Sequence, residues 1–316
     1  MPKAYLVYNP AAGRFPSRML TERAADVLRA HGWEMHLEQT QGGPHITQLA
    51  CQAVEQGIDV FFIAGGDGSI NYAVKGLVGS ETAMGVLPAG TANVWARELG
   101  LPGLSWTRWM SLEESARRFA TASVRKVDIG MCNSFPFLLW AGAGLDAFVV
   151  QRIEPRSRWE KHFALAQYTA AAVQQASFWG GMNLNVLADD MEVSGRYILA
   201  VVSNIHLYAG GHAEISPQAL LDDGKMDLWL FAGETLFETL RHAWDLFSGR
   251  HLNSNQTCCI PFRKLRLSSD SPLHVQVDGE PLPIEGDVVI EVAPKSLRVL
   301  IPKDAPRRLF LEDTDL

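Results

Sequence analysis

Three glycines and an aspartate in the stretch Gly65-Gly66-Asp67-Gly68-Ser69 are the residue types that can hold a phosphate group and its metal ion. Glycine has no Cβ, so the backbone can turn sharply and approach a ligand closely. The N–H groups at the start of a following helix favour anions. Asp67 could bind Mg²⁺ attached to the phosphate, because magnesium prefers carboxylate oxygen. A plain glycine turn explains this short motif equally well.

Two further loops carry the same kind of chemistry. The loop Leu87–Asn93 follows a strand-like run and precedes a helix-like one, and the Thr91 hydroxyl could bind a phosphate oxygen or cap that helix. The loop Asn9–Arg14 follows the first strand-like run and offers the Arg14 side chain to a phosphate. Loops that follow parallel strands gather at one edge of a sheet, so the three loops predict one nucleotide site. Neither the Walker pattern nor the dinucleotide fingerprint is present.

The segments between these loops alternate between strand and helix patterns over about the first 130 residues. This alternation predicts a parallel α/β sheet. The predicted strands are Ala4–Tyr8, Glu34–Gln39, Val60–Ala64 and Met84–Leu87, and the predicted helices are Ser17–Ala30, His45–Gln56, one from Ser69, and Ala92–Leu99.

After about Asp128 short apolar or alternating runs dominate, which predicts a mostly antiparallel β domain. Helical patterns interrupt it at about Arg158–Phe178 and Thr235–Phe247. The first of these is apolar and follows several arginines, so it could touch an anionic membrane or be a core helix with a solvated flank. We therefore predict domains at residues 1–129 and 130–301, with a tail at 302–316 that could pack back on the first domain.

The composition limits the function classes. Hydrophobic residues make up 47% and charged residues 20% of the 316 residues, which excludes a disordered chain. The net charge of −7 argues against a protein that grips nucleic acid. The four cysteines lack the spacing of a disulfide framework, and no apolar run approaches the ~20 residues of a membrane span. The sequence predicts a cytoplasmic protein, and leaves open peripheral contact with the inner face of a membrane.

The three loops, in this order, resemble the catalytic domain of diacylglycerol kinases, in particular soluble bacterial lipid kinases that are relatives of sphingosine and ceramide kinases. The stretch Gly65–Gly68 alone is shared with NAD kinases and phosphofructokinases, whereas the full ordered set is more specific. The further matching stretches are Asp128–Gly130, Ala141–Asp146, Asn204, Tyr208–Gly211, Ser216-Pro217, Leu220–Asp227 and Val277–Glu280. The resemblance implies an α/β N-terminal nucleotide-binding domain with a parallel sheet, like that of NAD kinase and phosphofructokinase, and a mostly antiparallel β C-terminal domain.

The resemblance also implies ATP and Mg²⁺ as cofactors and assigns residues to them. Asp67 would lie at the catalytic Mg²⁺, and Glu280 matches the proposed general base. Leu220, Asp223 and Lys225 match a structural Mg²⁺ site, in which Leu220 and Lys225 act through backbone carbonyls. The implied ATP-binding residues are Asn9, Arg14, Thr40, Gly65, Gly66, Asp67, Gly68, Ser69, Ile70, Asn71, Gly90, Thr91 and Asn93.

Plainer interpretations accompany these assignments. Asp278-Gly279 is a standard turn dipeptide, so Glu280 could simply be a solvated hairpin residue. The acidic run around Asp223 could be only a turn. Two positions depart from the family pattern, with Tyr72 in place of a common Glu and Val94 in place of a common Asp. Because Val94 has no carboxylate, metal binding would depend more on Asp67.

The resemblance implies an ATP-dependent phosphotransferase that acts on the hydroxyl of a lipid, diacylglycerol-like or sphingoid, in a cleft between the domains. The lipid would be presented at a membrane surface, with transient peripheral contact as an option. A kinase of a soluble alcohol and a non-catalytic lipid- or nucleotide-binding regulator are the alternatives. The sequence does not identify the lipid, and it leaves open whether the chain forms a homodimer.

Overall fold

The computed structural model describes residues 1–10, 17–153 and 179–311, so Arg14 and the predicted helix at 158–178 lie outside the described residues. The N-terminal half contains four parallel strands in the order β4-β3-β1-β2. The strands are β1 (Lys3–Tyr8), β2 (Glu34–Gln39), β3 (Val60–Gly65) and β4 (Ala83–Pro88). The helices are α1 (Ser17–Ala30), α2 (Gly43–Glu55), α3 (Asp67–Leu77), α4 (Val94–Glu98) and α5 (Ser111–Phe119).

Burial explains why these segments form a parallel sheet. Every residue of β3 and β4 is buried, as expected for strands that are covered on both faces. The helices place apolar stripes against them, with Ile46, Leu49 and Ala53 of α2 all buried. The carboxyl ends of the four strands therefore meet at one edge of the sheet, where the three predicted loops begin.

The C-terminal half is mostly antiparallel β-structure, so the predicted fold class is confirmed. Its buried core includes Val202, Leu228, Ile260 and Leu265. The strands are β5 (Ser123–Cys132), β6 (Phe135–Phe137), β7 (Trp140–Gly144), β8 (Met182–Ala188), β9 (Met191–Ser203), β10 (Leu207–Tyr208), β11 (Ala213–Glu214), β12 (Met226–Ala232), β13 (Thr257–Phe262), β14 (Lys264–Ser268), β15 (Val275–Val277), β16 (Glu280–Leu282) and β17 (Val288–Ile301). The helices are α6 (Leu145–Ile153) and α7 (Leu236–Phe247).

Strand β17 joins the two halves into one continuous sheet. It pairs antiparallel with β14 and β5, and near its end Val299 pairs in parallel with Met84 of β4. Near its end, Leu297, Val299, Leu300 and Ile301 are buried in the same core as the N-terminal strands. Leu309 and Phe310 of the tail are also buried in that core.

Several predicted boundaries differ from the structure. Helix α3 begins at Asp67, two residues before the predicted start at Ser69. Helix α4 is only five residues long, since Asn93 adopts a left-handed conformation that ends the preceding loop (φ 49°). Two of the short apolar runs after Asp128, at 288–292 and 297–301, form a single strand with an irregularity between Ala293 and Leu297. No helix among the described residues combines the length and apolar character that a membrane span requires.

Candidate active site

The loops that follow β3 and β4 are in direct backbone contact. A Cβ added to Gly90 would lie 2.4 Å from the Gly66 Cα atom and 2.7 Å from the Asn93 Oδ1 atom. Real Cβ atoms are not found at such distances from other heavy atoms. Only glycine therefore lets the two loops approach this closely. The structure brings the two glycine motifs together as the sequence predicted.

Asn93 fixes the shape of the second loop. Its Oδ1 accepts the Gly90 N–H at 2.9 Å, and its Nδ2 donates to the Gly90 carbonyl at 2.9 Å. The side chain is buried, so it stabilises the loop instead of offering a surface to a ligand. Thr91 is exposed on that loop, and Asn93 occupies the cap position of α4 that Thr91 could have taken.

Asp67 lies in the first turn of α3. The Trp95 N–H donates to its Oδ1 at 3.2 Å, which links the starts of α3 and α4. Burial raises the pKa of the Asp67 carboxyl above its ordinary value, and the nearby Asp278 carboxylate raises it further. The N–H groups of Ser69 and Ile70 bond to the Gly66 carbonyl, so the donors that this loop offers to a phosphate must come from residues before Ser69.

The hairpin β15–β16 brings a second carboxylate to this edge. Asp278 and Gly279 form its turn, both with positive φ (48° and 85°), as in a type I′ turn. The Asp278 carboxylate accepts the backbone N–H groups of Leu138, Leu139 and Trp140 at 2.9–3.1 Å. It also accepts Asn71 Nδ2, from α3, at 3.0 Å. Burial raises the pKa of Asp278, although these four hydrogen bonds act in the opposite direction.

Glu280 follows directly on this anchored turn and is half-buried. Its Oε1 lies 3.8 Å from the point where a Cβ on Gly68 would be. The carboxylate of the C-terminal hairpin is thus held against the glycine motif of the N-terminal half. This is the arrangement that a phosphate-binding loop and a proton-accepting carboxylate require.

A network behind the hairpin holds its strands in place. Gln276 Nε2 donates to Asp146 Oδ2 at 2.8 Å, and Gln276 Oε1 accepts the Gly279 N–H at 2.8 Å. The turn beside Glu280 is therefore fixed from both sides, by Asp278 and by Gln276. Neither residue was singled out from the sequence for this role, because their partners are far away along the chain.

The other predicted site residues are of two kinds. Asn9 and Thr40 hold loops at this edge of the sheet, and Ile70 and Asn71 have buried side chains. Asn9 Nδ2 donates to Ser69 Oγ at 3.1 Å, which ties the first loop to the glycine motif. Thr40 follows β2 at the same edge, where its hydroxyl donates to the Gly42 carbonyl at 2.7 Å. The side chains of Ile70 and Asn71 are buried, the Ile70 N–H bonds to the Gly66 carbonyl, and the Asn71 amide donates to Asp278, so the structure gives neither residue a donor aimed at a nucleotide.

Two contacts between the halves were not predicted. The Glu98 carboxylate of α4 accepts the N–H groups of His206 and Leu207, each at 3.2 Å, and also contacts the His206 Nδ1. Arg97 donates to the Gly210 carbonyl at 2.9 Å. These contacts join the helix that follows the Gly90 loop to the C-terminal half. Glu98 and His206 are 108 residues apart, and no spacing signal in the sequence connects them.

The loop with the predicted structural Mg²⁺ ligands surrounds the fully buried Asp128. Its carboxylate accepts the N–H groups of Gly224 and Lys295 at 2.6 and 2.7 Å. Burial raises the pKa of Asp128, and the carboxylates of Asp223 and Asp222 raise it further. The Asp223 Oδ1 accepts the Lys225 N–H at 3.0 Å. A cation would relieve this crowding of negative charge, and the ligand set Leu220, Asp223 and Lys225 stays a prediction.

The donor set at Asp67 fits a Mg²⁺ ion that is bound with a nucleotide. Within residues 1–10, 17–153 and 179–311, no three His, Cys, Asp or Glu side chains form a metal cluster. Magnesium beside a nucleotide needs only one or two carboxylates, because phosphate and water oxygens complete its shell. Asp67 supplies such a carboxylate next to a loop where glycines leave room for phosphates.

Comparisons with known proteins cover nearly the whole chain. Residues 3–132 match the family model of the diacylglycerol kinase catalytic domain, and residues 140–301 match that of the YegS C-terminal NAD kinase beta sandwich-like domain. A diacylglycerol kinase of Bacillus subtilis (strain 168) is 25% identical over 285 residues, which cover 89% of this chain and 90% of the relative.

Two further matches agree with these. A diacylglycerol kinase of Mycobacterium tuberculosis (strain H37Rv) is 27% identical over 310 residues, which cover 95% of this chain and 96% of the relative. The crystal structure of a diacylglycerol kinase from Bacillus anthracis (strain Sterne) superposes with a TM-score of 0.73 and 19% identity, covering 96% of this chain and 98% of that chain. This last likeness shows the fold.

Proposed function

Because the chain belongs to the family of lipid kinases with a diacylglycerol kinase catalytic domain and a YegS-type C-terminal domain, we propose that it transfers the γ-phosphate of ATP to the hydroxyl of a lipid. The observation that carries the proposal is the position of Glu280 against the Gly65–Ser69 motif, held there by Asp278. The reaction would take place where the C-terminal hairpin meets the loops of the N-terminal half.

In the proposed reaction the Glu280 carboxylate accepts the proton of the lipid hydroxyl. The hydroxyl oxygen forms a bond to the γ-phosphorus while the bond from that phosphorus to the bridging oxygen breaks, which leaves ADP. The backbone around Gly66 and Gly90 would hold the phosphates, and Asp67 would hold a Mg²⁺ ion, which would supply positive charge to neutralise them. The protein would contribute mainly by positioning the reacting groups and by stabilising the charge on the phosphates, which is most of the catalysis that phosphoryl transfer requires.

The acceptor is proposed as a diacylglycerol-like or sphingoid lipid that is presented at a membrane surface. Support comes from the names of the relatives, which are diacylglycerol kinases. Glu280 is only half-buried, so an acceptor hydroxyl can reach it from solvent or from a lipid surface.

The test is transfer of radiolabelled γ-phosphate from Mg-ATP to a panel of acceptors in detergent mixed micelles. The panel holds diacylglycerol, monoacylglycerol, sphingosine and phosphatidylglycerol, with glycerol and a nucleoside as soluble acceptors. We expect label in one lipid. Label in a soluble acceptor alone would show a kinase of a soluble alcohol. ATP binding without transfer to any acceptor would indicate a regulator, and either result overturns the proposal.

Gly90→Ala tests the role of the paired loops. The new Cβ would meet the Gly66 Cα at 2.4 Å, so the loops must move apart at a cost of about 1–3 kcal/mol. We expect ATP binding, measured by calorimetry, to weaken by roughly tenfold or more. Gly103→Ala is the matched control, because nothing lies within 4 Å of its added Cβ. Equal ATP affinity for both variants would contradict a phosphate site at these loops.

A further inference from the structure

Helix α4 begins at the two glycine loops and is bonded to both. Asn93, which shapes the Gly90 loop through two hydrogen bonds, is the residue directly before the helix. The Trp95 N–H of the helix donates to Asp67 Oδ1 at 3.2 Å. Because of these bonds, α4, the Gly90 loop and the Asp67 carboxylate move together.

The other end of α4 is held by the C-terminal half. Glu98 Oε1 accepts the His206 N–H and Glu98 Oε2 accepts the Leu207 N–H, each at 3.2 Å, and Oε1 also contacts the His206 Nδ1. Arg97, the residue before Glu98, donates to the Gly210 carbonyl at 2.9 Å. Two adjacent side chains of opposite charge thus bind two points of one loop in the C-terminal half.

The pair of Glu98 and His206 is buried, with side chains that are 2 and 1% exposed. Taking two such side chains out of water costs free energy that their attraction repays only in part, and an apolar pair of similar size is often as stable. Among the described residues, none forms a hydrogen bond with the His206 Nε2 atom, which adds to this cost. What the pair provides beyond an apolar contact is a directional attachment at a fixed position.

We propose that Glu98 is a positioning residue of the kinase reaction, which holds the Gly90 loop and Asp67 in place relative to Glu280. This inference rests on the proposed function, in which the phosphates and the proton acceptor are held by different halves. Before the Gly90 loop, β4 pairs with β17, and after it α4 is bonded through Glu98, so the loop is attached to the C-terminal half at both of its ends. A displacement of about 1 Å can lower a rate on the order of 10²-fold.

The test compares Glu98→Gln with the wild type. Glutamine keeps the size of the side chain but replaces one acceptor oxygen with an NH₂ group, which would face an N–H donor. We expect transfer of label at saturating ATP to fall roughly tenfold or more, because the loop shifts relative to Glu280. ATP affinity, measured by calorimetry, should stay within about twofold of the wild type, since the contacts between the two glycine loops remain.

Ile260→Ala is the control for lost stability. Ile260 is buried in the separate core of the C-terminal half, so its truncation destabilises the fold without touching α4. The folded variant should transfer label at the wild-type rate. An equal loss of transfer in Ile260→Ala and Glu98→Gln would mean that lost stability alone explains the effect, and it would overturn the inference.

Arg97→Ala is a second variant, and its side chain is exposed, so folding should not depend on it. It removes the bond to the Gly210 carbonyl and should lower transfer in the same direction as Glu98→Gln, by a smaller factor. Arg117→Ala, at an exposed arginine of α5, is its matched control and should transfer label as the wild type does. Equal transfer by these two arginine variants would contradict a positioning role for the end of α4.

Hydrogen exchange over residues 90–99, measured by mass spectrometry without ATP or lipid, tests the attachment apart from kinase activity. We expect exchange roughly tenfold or more faster in Glu98→Gln than in the wild type and in Ile260→Ala. If the wild type labels no acceptor while Glu98→Gln loosens residues 90–99, only the kinase proposal fails. If the wild type labels a lipid and Glu98→Gln does so at the same rate, only the positioning inference fails.

Discussion

Glu280→Gln is expected to lower turnover by about 10²–10⁴-fold while ATP binding stays as in the wild type. Glutamine keeps the size and polarity of the side chain but cannot accept the proton of the acceptor hydroxyl at neutral pH. General-base catalysis contributes about this factor to enzymatic rates. The measurement is steady-state transfer of label to the acceptor that the panel identifies, with ATP affinity determined separately by calorimetry.

Glu285→Gln is the matched control for this variant. Glu285 is exposed and lies five residues further along the chain, in the loop after β16. It should retain full activity, because nothing places its carboxylate against the glycine motif. Unchanged turnover in Glu280→Gln would mean that Glu280 is a solvated hairpin residue, and another group would then have to accept the proton.

The second large effect is expected at Asp278. Asp278→Ala leaves three backbone N–H groups, at Leu138, Leu139 and Trp140, and the Asn71 amide without their shared acceptor. Each buried donor without a partner costs about 1–3 kcal/mol, so with four donors we expect a loss of about 4 kcal/mol or more in the free energy of unfolding. Denaturant unfolding of the variant and the wild type measures this loss directly.

Turnover of the folded Asp278→Ala variant should fall as well, because the hairpin that carries Glu280 loses its attachment to α3. Asp270→Ala is a suitable control, since Asp270 is exposed and lies before the same hairpin. It should leave both stability and activity unchanged. If Asp278→Ala were as stable as Asp270→Ala, the buried carboxylate would not be what holds the two halves together at this point.

Local patterns were sufficient to predict the four strands of the N-terminal half. The buried runs of β3 and β4 and the glycine motifs after them lie within a few residues of each other, and periodicity determines the strands to within about two residues. The early start of α3 and the short α4 depend on hydrogen bonds of Asp67 and Asn93 with the backbone, which no local pattern reveals. Helix α5 was missed, although Leu112, Ala116 and Phe119 have helical spacing.

The candidate site depends on long-range contacts, so only part of it could be predicted. Asp278-Gly279 was correctly predicted as a turn, but the partners of the Asp278 carboxylate lie 138–140 residues and 207 residues away along the chain. Glu280 was identified from the resemblance alone, because its own neighbours predict a solvated residue. The signal that could have indicated the role of Asp278 is an acidic residue in a turn, next to a motif that the family shares.

The pairing of β17 also affects the order in which the molecule is completed during synthesis. This strand is encoded near the end of the described chain, yet four of its last five residues are buried in the core of the N-terminal half beside β4. Strand β5 ends at Cys132, so the ribosome must add more than 160 further residues before the end of β17 is synthesised. Until then the β4 edge of the N-terminal sheet has no β17 to cover it. The domain that is synthesised first is therefore finished last, and its exposed strand edge is the part of the nascent chain most in need of protection from aggregation.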